Sequence, residues 1–316
     1  MSMIEIIHLP ISFILSYFII KNMIPYLTKL KFGQFVRDDG PESHLKKTGT
    51  PTMGGIGFLI GIFLTAGIFF WVNKESLPIL VMMIGFGTIG FLDDYIKVVK
   101  KRSLGLRAYQ KLLGQLVLSI GFTVFLMMNL GTEIYIPFSS GSYLDLGWFF
   151  IPFSVIVILG TTNGVNLTDG IDGLATTVTI IVASVLTIGE LWMGNGNISL
   201  SLAVIGGLGA FLIFNRYPAK LFMGDTGSLA LGGFVVSMAM IQQNPLIIMM
   251  IGFVYLVETI SVMLQVGYYK KTKKRLFLMA PIHHHYELKG LRELQIVSLF
   301  SVVTFIMGVI AIVSMF

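Results

Sequence analysis

Apolar residues gather along the 316-residue chain in ten blocks, separated by short segments where charge, glycine and asparagine collect. Their approximate cores are 4–27, 54–72, 77–92, 109–130, 146–160, 175–192, 200–215, 227–241, 246–267 and 295–316. A helix needs about 20 apolar residues to cross the hydrocarbon of a bilayer, so the pattern predicts an all-α integral membrane protein with about ten transmembrane helices. No Lys or Arg precedes the first block and no small-residue cleavage site follows it, so it reads as a retained span. The stretch 132–136 alternates polar and apolar residues before Pro137 and a Ser/Gly cluster, which predicts a small external hairpin.

Composition agrees: 55% of residues are hydrophobic and 12% charged, against about 25% charged in soluble domains. The net charge of +6 is not scattered. Apart from Lys21 and Lys74, every Lys and Arg falls in or at the edge of the connections after spans one, three, seven and nine. Basic residues mark cytoplasmic loops, so both termini are expected outside and the basic excess needs no nucleic acid. The connection after span five, 161–174, is then cytoplasmic too, although it has no basic residue. The chain reads as one polytopic domain, 1–316, with its chemistry in a cytoplasmic cleft. Cysteine is absent, which excludes disulfides, thiolate zinc sites and cysteine nucleophiles. There is no Gly-Lys dipeptide, hence no Walker A loop.

Ionisable groups at membrane depth cost about 2.5–3.5 kcal/mol each on insertion scales, so their presence marks function. Span three ends in Asp93, Asp94 and Lys97; span five runs into Asn166, Asp169 and Asp172, spaced by three; span seven leads to Asn215, Phe222 and Asp225; span nine is followed by His283, His284 and His285. Each has a plainer reading, as helix-end residues, a polar turn or a polar loop. Taken together, carboxylates from several cytoplasmic ends with little counter-charge suggest a shared hard cation, Mg²⁺ or Mn²⁺, completed by phosphates. Two phosphate groups 4 Å apart repel by about 4 kcal/mol per unit-charge pair at an effective dielectric of 20. Lys97, Lys111, the histidines and the turns at Gly224 and Gly227 would offset that repulsion. The consecutive histidines diverge around a helix and do not make a zinc site. The basic run Lys270, Lys271, Lys273, Lys274 and Arg275 reads as a topology signal that meets membrane lipids. Glu258, in the middle of span nine, is left without a role.

Asp38-Asp39-Gly40-Pro41 with Ser43-His44, Lys47-Thr48-Gly49-Thr50-Pro51-Thr52-Met53-Gly54-Gly55, Asp93-Asp94-Tyr95-Ile96-Lys97, Gly105-Leu106 with Lys111 and Gln115, the segments 163–173 and 222–228, and Pro281-Ile282-His283-His284-His285-Tyr286-Glu287 occur in that order. Together they resemble the phospho-N-acetylmuramoyl-pentapeptide transferases, from about residue 37 to residue 293. Two departures fall near the end: Gly290-Leu291 stands where the family commonly has Gly-Trp, and Leu299-Phe300-Ser301 where it has an aromatic segment.

The resemblance implies transfer of phospho-MurNAc-pentapeptide from UDP-MurNAc-pentapeptide to undecaprenyl phosphate with Mg²⁺, by a homodimer in the bacterial plasma membrane. It implies Mg²⁺ at Asp225, a base or lipid-phosphate positioner at Asp93 with Asp94 as partner, and uridine binding or cleft ordering by Asn166, Asp169 and Asp172. Phosphates would meet Lys97, Lys111 and Asn215, Phe222 would line the donor site, and the donor would meet His283, His284 (placed with the catalytic residues) and His285. Direct attack and a two-step route through a phospho-aspartate both remain open at this stage. So do two other functions: a UDP-GlcNAc-using sister branch and a proton-coupled transporter, although a transporter would set its polar groups near the bilayer midplane.

Overall fold

The computed structural model describes residues 3–29, 47, 49–69, 74–100, 105–139, 141–193 and 196–315. The Asp38 to His44 motif lies outside the described residues. The helices are α1 (Met3–Lys29), α2 (Gly55–Ile68), α3 (Leu77–Val99), α4 (Ala108–Asn129), α5 (Phe150–Thr168), α6 (Leu174–Met193), α7 (Ile198–Asn215), α8 (Gly224–Ile241), α9 (Ile248–Ile251), α10 (Phe253–Thr272), α11 (Ile282–Leu288) and α12 (Glu293–Val313). The expected hairpin is present as strands β1 (Glu133–Tyr135) and β2 (Tyr143–Asp145), antiparallel with Ile134 opposite Leu144.

Among the described residues, eight helices are long and apolar enough to span a membrane. The segment Pro245–Ile251 and α10, bent by 83° across Gly252, make a ninth if counted together. The expected second span is shorter than its apolar block. At 14 residues, α2 extends about 21 Å at 1.5 Å per residue, less than the roughly 30 Å hydrocarbon core.

Helix α8 is the axis of the bundle. Every residue from Thr226 to Met240 is buried, and it packs against α3 and α5, while α1 packs against α7 and α2. Glycine sets how closely α8 is approached. A Cβ on Gly90 would overlap the Asp225 carbonyl and the Thr226 nitrogen, and one on Gly55 would overlap the backbone of Gly227. The Gly90 crossing lies one turn before Asp93 and Asp94, and so delivers those carboxylates to the start of α8.

Several elements run past the apolar blocks. Helix α3 continues through Asp93 and Asp94, which are 4% and 3% exposed, because that face meets protein and not lipid. Helix α5 continues to Thr168, so Asn163 and Asn166 are helical and not in a loop as the hydropathy suggested. The reason is lateral pairing: Asn163 and Gln115 of α4 exchange hydrogen bonds at 2.9 and 3.3 Å, so the half-buried polar groups in the last turns of α5 find partners within the protein. Helix α8 likewise begins at Gly224, placing Asp225 in its first turn.

Candidate active site

These motifs converge at one end of this bundle. Positions i, i+3 and i+4 of a helix share a face, and α3 uses that spacing to set Lys97 beside its own carboxylates. The Lys97 Nζ lies 2.6 Å from Asp93 Oδ2, 3.0 Å from Asp225 Oδ2 and 3.9 Å from Asp94 Oδ1. Lys111, in the first turn of α4, puts its Nζ 3.0 Å from Asp225 Oδ2 and 3.3 Å from Asn166 Oδ1. The Asn166 amide donates to Asp225 Oδ1 at 3.0 Å and to Ser228 Oγ at 2.8 Å. Asp225 is thus held by an amide on one oxygen and two ammonium groups on the other.

Asp94 does something different. Its Oδ1 accepts the Asp225 N–H at 3.1 Å, and its Oδ2 accepts the Thr226 N–H at 2.9 Å and the Thr226 hydroxyl at 2.8 Å. The first N–H groups of a helix lack partners and sit at the positive end of its dipole, so a buried carboxylate there anchors α8. Asp93 turns Oδ1 to the Leu106 N–H at 2.7 Å, tying the approach to α4 to α3.

Ligand oxygens of Asp93, Asp94 and Asp225 all lie within 4.8 Å of one another. Hard oxygen donors in that number suit Mg²⁺, which takes one or two carboxylates and fills its shell with water and phosphate. The Lys97 ammonium between them shows that the geometry receives a positive charge.

Beside this knot, Asp169 ends α5. Burial pushes its carboxyl well above the ordinary carboxylate range, and the charges of Asp225, Asp94 and Asp172 add to the shift, while the Gly224 N–H offsets part of it. A carboxyl with a raised folded-state value weakens the fold as pH climbs above the unfolded value near 3.9. Asp169→Asn is therefore expected to raise the thermal midpoint at pH 7.5, with the gain shrinking as pH falls toward 4. Thermal unfolding at several pH values checks this; a pH-independent difference would contradict it.

Asp172 belongs to a second knot. Its Oδ1 lies 2.6 Å from Lys47 Nζ and its Oδ2 accepts the Ala219 N–H at 2.8 Å. Glu293, in the first turn of α12, holds the same ammonium at 2.7 Å and accepts the Asp172 N–H at 3.2 Å. Burial draws the Lys47 ammonium down, but the two carboxylates outweigh it and leave it above the ordinary lysine value. The histidines separate on α11. His283 is fully buried with Nδ1 3.0 Å from Glu258 Oε1; His284 sets Nδ1 2.6 Å from Glu287 Oε2; His285 Nδ1 accepts the Leu278 N–H at 3.1 Å. Desolvation and then the Lys289 charge hold His285 below the usual imidazole range.

Residues 76–243 match the glycosyl transferase family 4. Curated relatives over most of the chain carry the name phospho-N-acetylmuramoyl-pentapeptide-transferase. The protein of Acetivibrio thermocellus is 48% identical over 95% of this chain and 92% of its own length. That of Caldanaerobacter subterraneus subsp. tengcongensis is 50% identical over 94% of both chains, and that of Clostridium botulinum 49% identical over 92% and 90%. The chain belongs to the phospho-N-acetylmuramoyl-pentapeptide transferases.

Within this transferase the expected residues divide. Asp93, Asp94, Lys97, Lys111, Asn166 and Asp225 come together in one contact network. Phe222 is half-buried beside them, its N–H bonded to the Pro51 carbonyl at 2.9 Å and its carbonyl accepting from Gly54 at 2.8 Å. Three other expected substrate residues are held by protein partners outside that network. Asp172 is 3% exposed and committed to Lys47 and Ala219. Asn215 is buried between the Thr176 hydroxyl at 2.7 Å and the Leu221 carbonyl at 3.0 Å. His283 is enclosed against Glu258. The residues missed were Thr226, Ser228 and Glu293. The hydroxyls were visible as part of a Gly-Asp-Thr-Gly-Ser turn, and Glu293 as an acid opening an apolar helix; no local pattern gave their partners.

Proposed function

We propose that this transferase moves phospho-MurNAc-pentapeptide from UDP-MurNAc-pentapeptide to undecaprenyl phosphate, forming the lipid-linked precursor of peptidoglycan and UMP. The observation that carries the reading is the Asp93, Asp94 and Asp225 cluster, with Lys97 and Lys111, at the ends of membrane-length helices. The shared name of relatives at about half identity favours the pentapeptide donor over UDP-GlcNAc. A knot of acid and ammonium groups at helix ends favours an enzyme over a transporter.

A lipid phosphate near neutral pH is largely dianionic, its second pKa being about 6. Its oxygen needs no strong base; it needs neutralised charge and alignment. In our mechanism that oxygen attacks the β-phosphorus of the donor, a new P–O bond forms, and the bond to the α-phosphate oxygen breaks, so that UMP leaves with the electron pair. Lys97 and Lys111 exchange Asp225 for the incoming phosphates. Asp93, steadied by Leu106, positions the acceptor. Asn166 and Asp169 face the uridine side, and His284, steered by Glu287, meets the donor phosphates. Asp225 and Asp93 would hold Mg²⁺, which when bound supplies charge neutralisation at the diphosphate.

Distribution of the basic residues supports ten crossings, counting α2 and the bent α9–α10 pair, with both termini outside and the site on the cytoplasmic face of a bacterial plasma membrane. A homodimer is the assembly we expect.

The test is UMP release by detergent-purified protein given undecaprenyl phosphate, Mg²⁺ and either donor. Release with the pentapeptide donor alone, abolished by EDTA and restored by Mg²⁺, is the expected result. Release with UDP-GlcNAc alone, or none from folded protein, would overturn it. Acid-quenched enzyme holding phosphate on an aspartate would replace direct attack by the two-step route.

A further inference from the structure

Helix α10 exposes Leu256, Ile260, Met263 and Leu264, as a lipid-facing helix should, yet it fully buries one carboxylate, Glu258. An acid at that depth is costly unless it is placed for a partner. Its partner is His283: Glu258 Oε1 lies 3.0 Å from Nδ1, and both side chains are completely enclosed. The pair is also incompletely satisfied. Glu258 Oε2 and His283 Nε2 are buried without a hydrogen-bond partner, although such groups are nearly always paired. The unpaired edge of the imidazole has a definite neighbour. A Cβ on Gly170 would overlap His283 Nε2 and lie 2.5 Å from Cε1. Gly170 follows Asp169, the acid that ends α5 next to Asp225 and Asp94. On the other side the His283 ring is 4.1 Å, centre to centre, from that of His284.

We infer that Glu258 is a positioning residue for the donor side of the site, acting through His283. The carboxylate accepts the Nδ1–H, which fixes both the tautomer and the plane of the ring. The fixed ring then serves as the spacer that sets the Asp169–Gly170 turn and the His284 backbone at one distance from α10. Its contact with Gly170 is steric, which explains why Nε2 is aimed at a residue that has no side chain. Hydrogen bonding, not donor contact, makes the first histidine of the motif important, and the span-nine acid becomes part of the active-site frame. This inference rests on the transferase reading above, because it assigns Asp169 to the donor.

The experiment is steady-state UMP release by the full-length protein. UDP-MurNAc-pentapeptide is titrated at saturating undecaprenyl phosphate and the reverse, for Glu258→Leu, Glu258→Gln, Gly170→Ala and the Gly170→Ala/Glu258→Leu double variant. Glu258→Leu removes the acceptor and is expected to raise the donor KM at least tenfold while the lipid KM stays within twofold. Glu258→Gln keeps an acceptor oxygen and should recover most of the loss. Gly170→Ala pushes the same ring from the opposite side and should give the same donor-side defect. Because both act through His283, the double variant should be no more than about threefold worse than the worse single one. The inference is overturned by a donor KM within twofold of wild type in Gly170→Ala, by equal loss on both substrates, or by multiplicative effects. If Glu258→Leu does not fold, Gly170→Ala and Glu258→Gln carry the test. A wild-type protein that releases no UMP would instead overturn the transferase reading.

Discussion

Asp225→Asn is expected to lower UMP release by about a thousandfold while the protein stays folded. Removing one preorganised electrostatic group from an active site typically costs a factor of about 10² to 10³, and Asp225 sits where several such effects meet. Its Oδ2 is 3.0 Å from both Lys97 Nζ and Lys111 Nζ, and its Oδ1 accepts from Asn166. An asparagine either turns its amide NH₂ toward two ammonium groups, or turns it toward the Asn166 donor; neither arrangement is complementary. It also removes a unit charge from the carboxylate cluster, in which we assign Mg²⁺ to Asp225 and Asp93. Folding should survive because α8 is anchored through the Asp225 backbone N–H, which is unchanged, and not through its side chain. Turnover and the thermal midpoint measured on the same preparation check this. Near-normal turnover would remove Asp225 from the metal site, and loss of the folded state would show that the side chain supports α8 directly.

Much of this site was legible in the sequence because membrane insertion makes charge informative. Asp93, Asp94 and Lys97 close an apolar block where lipid would penalise each of them, and Lys111 opens the next one. Their convergence follows from connection lengths and from one face of α3 meeting α8. Hydropathy misplaced the helix ends for a related reason. It treats Asn163 and Asn166 as solvent-seeking, whereas Gln115 and Asp225 solvate them inside the protein. The close crossing at Gly90 was invisible, since a glycine in an apolar run has no sequence mark that distinguishes a backbone contact from a lipid-facing gap. The partner of Asp172 was not legible, because three-residue spacing after Asn166 and Asp169 would keep one face only in a continuing helix. It stops at Thr168, and Asp172 turns instead to Lys47, which lies 125 residues away in the chain. The histidine triplet split the same way. Three adjacent residues on α11 point in three directions, so one motif serves Glu258, Glu287 and the Leu278 backbone.

Asp94→Asn should lower turnover by about a hundredfold, but by a route that Asp225→Asn does not share. Asp94 accepts the N–H groups of Asp225 and Thr226 and the Thr226 hydroxyl, at 3.1, 2.9 and 2.8 Å. Hydrogen bonds to a charged acceptor are worth about 1.5–3 kcal/mol each, so this carboxylate is the main restraint on the first turn of α8. An asparagine has one acceptor oxygen, and its NH₂ would face an N–H it cannot bond. The α8 start then shifts, and Asp225 moves with it relative to Lys97, Lys111 and Asp93. If the loss is positional, more Mg²⁺ should be needed for half-maximal rate, and saturating Mg²⁺ should recover part of the turnover. Thr226→Val isolates the effect, because it deletes a single bond to Asp94 and leaves every charge in place. It should cost about tenfold and move the Mg²⁺ requirement in the same direction, whereas Thr226→Ser, which keeps the hydroxyl, should remain close to wild type. A Thr226→Val enzyme with unaltered turnover and Mg²⁺ response would show that Asp94 acts on the reactants or the metal directly and not by holding α8.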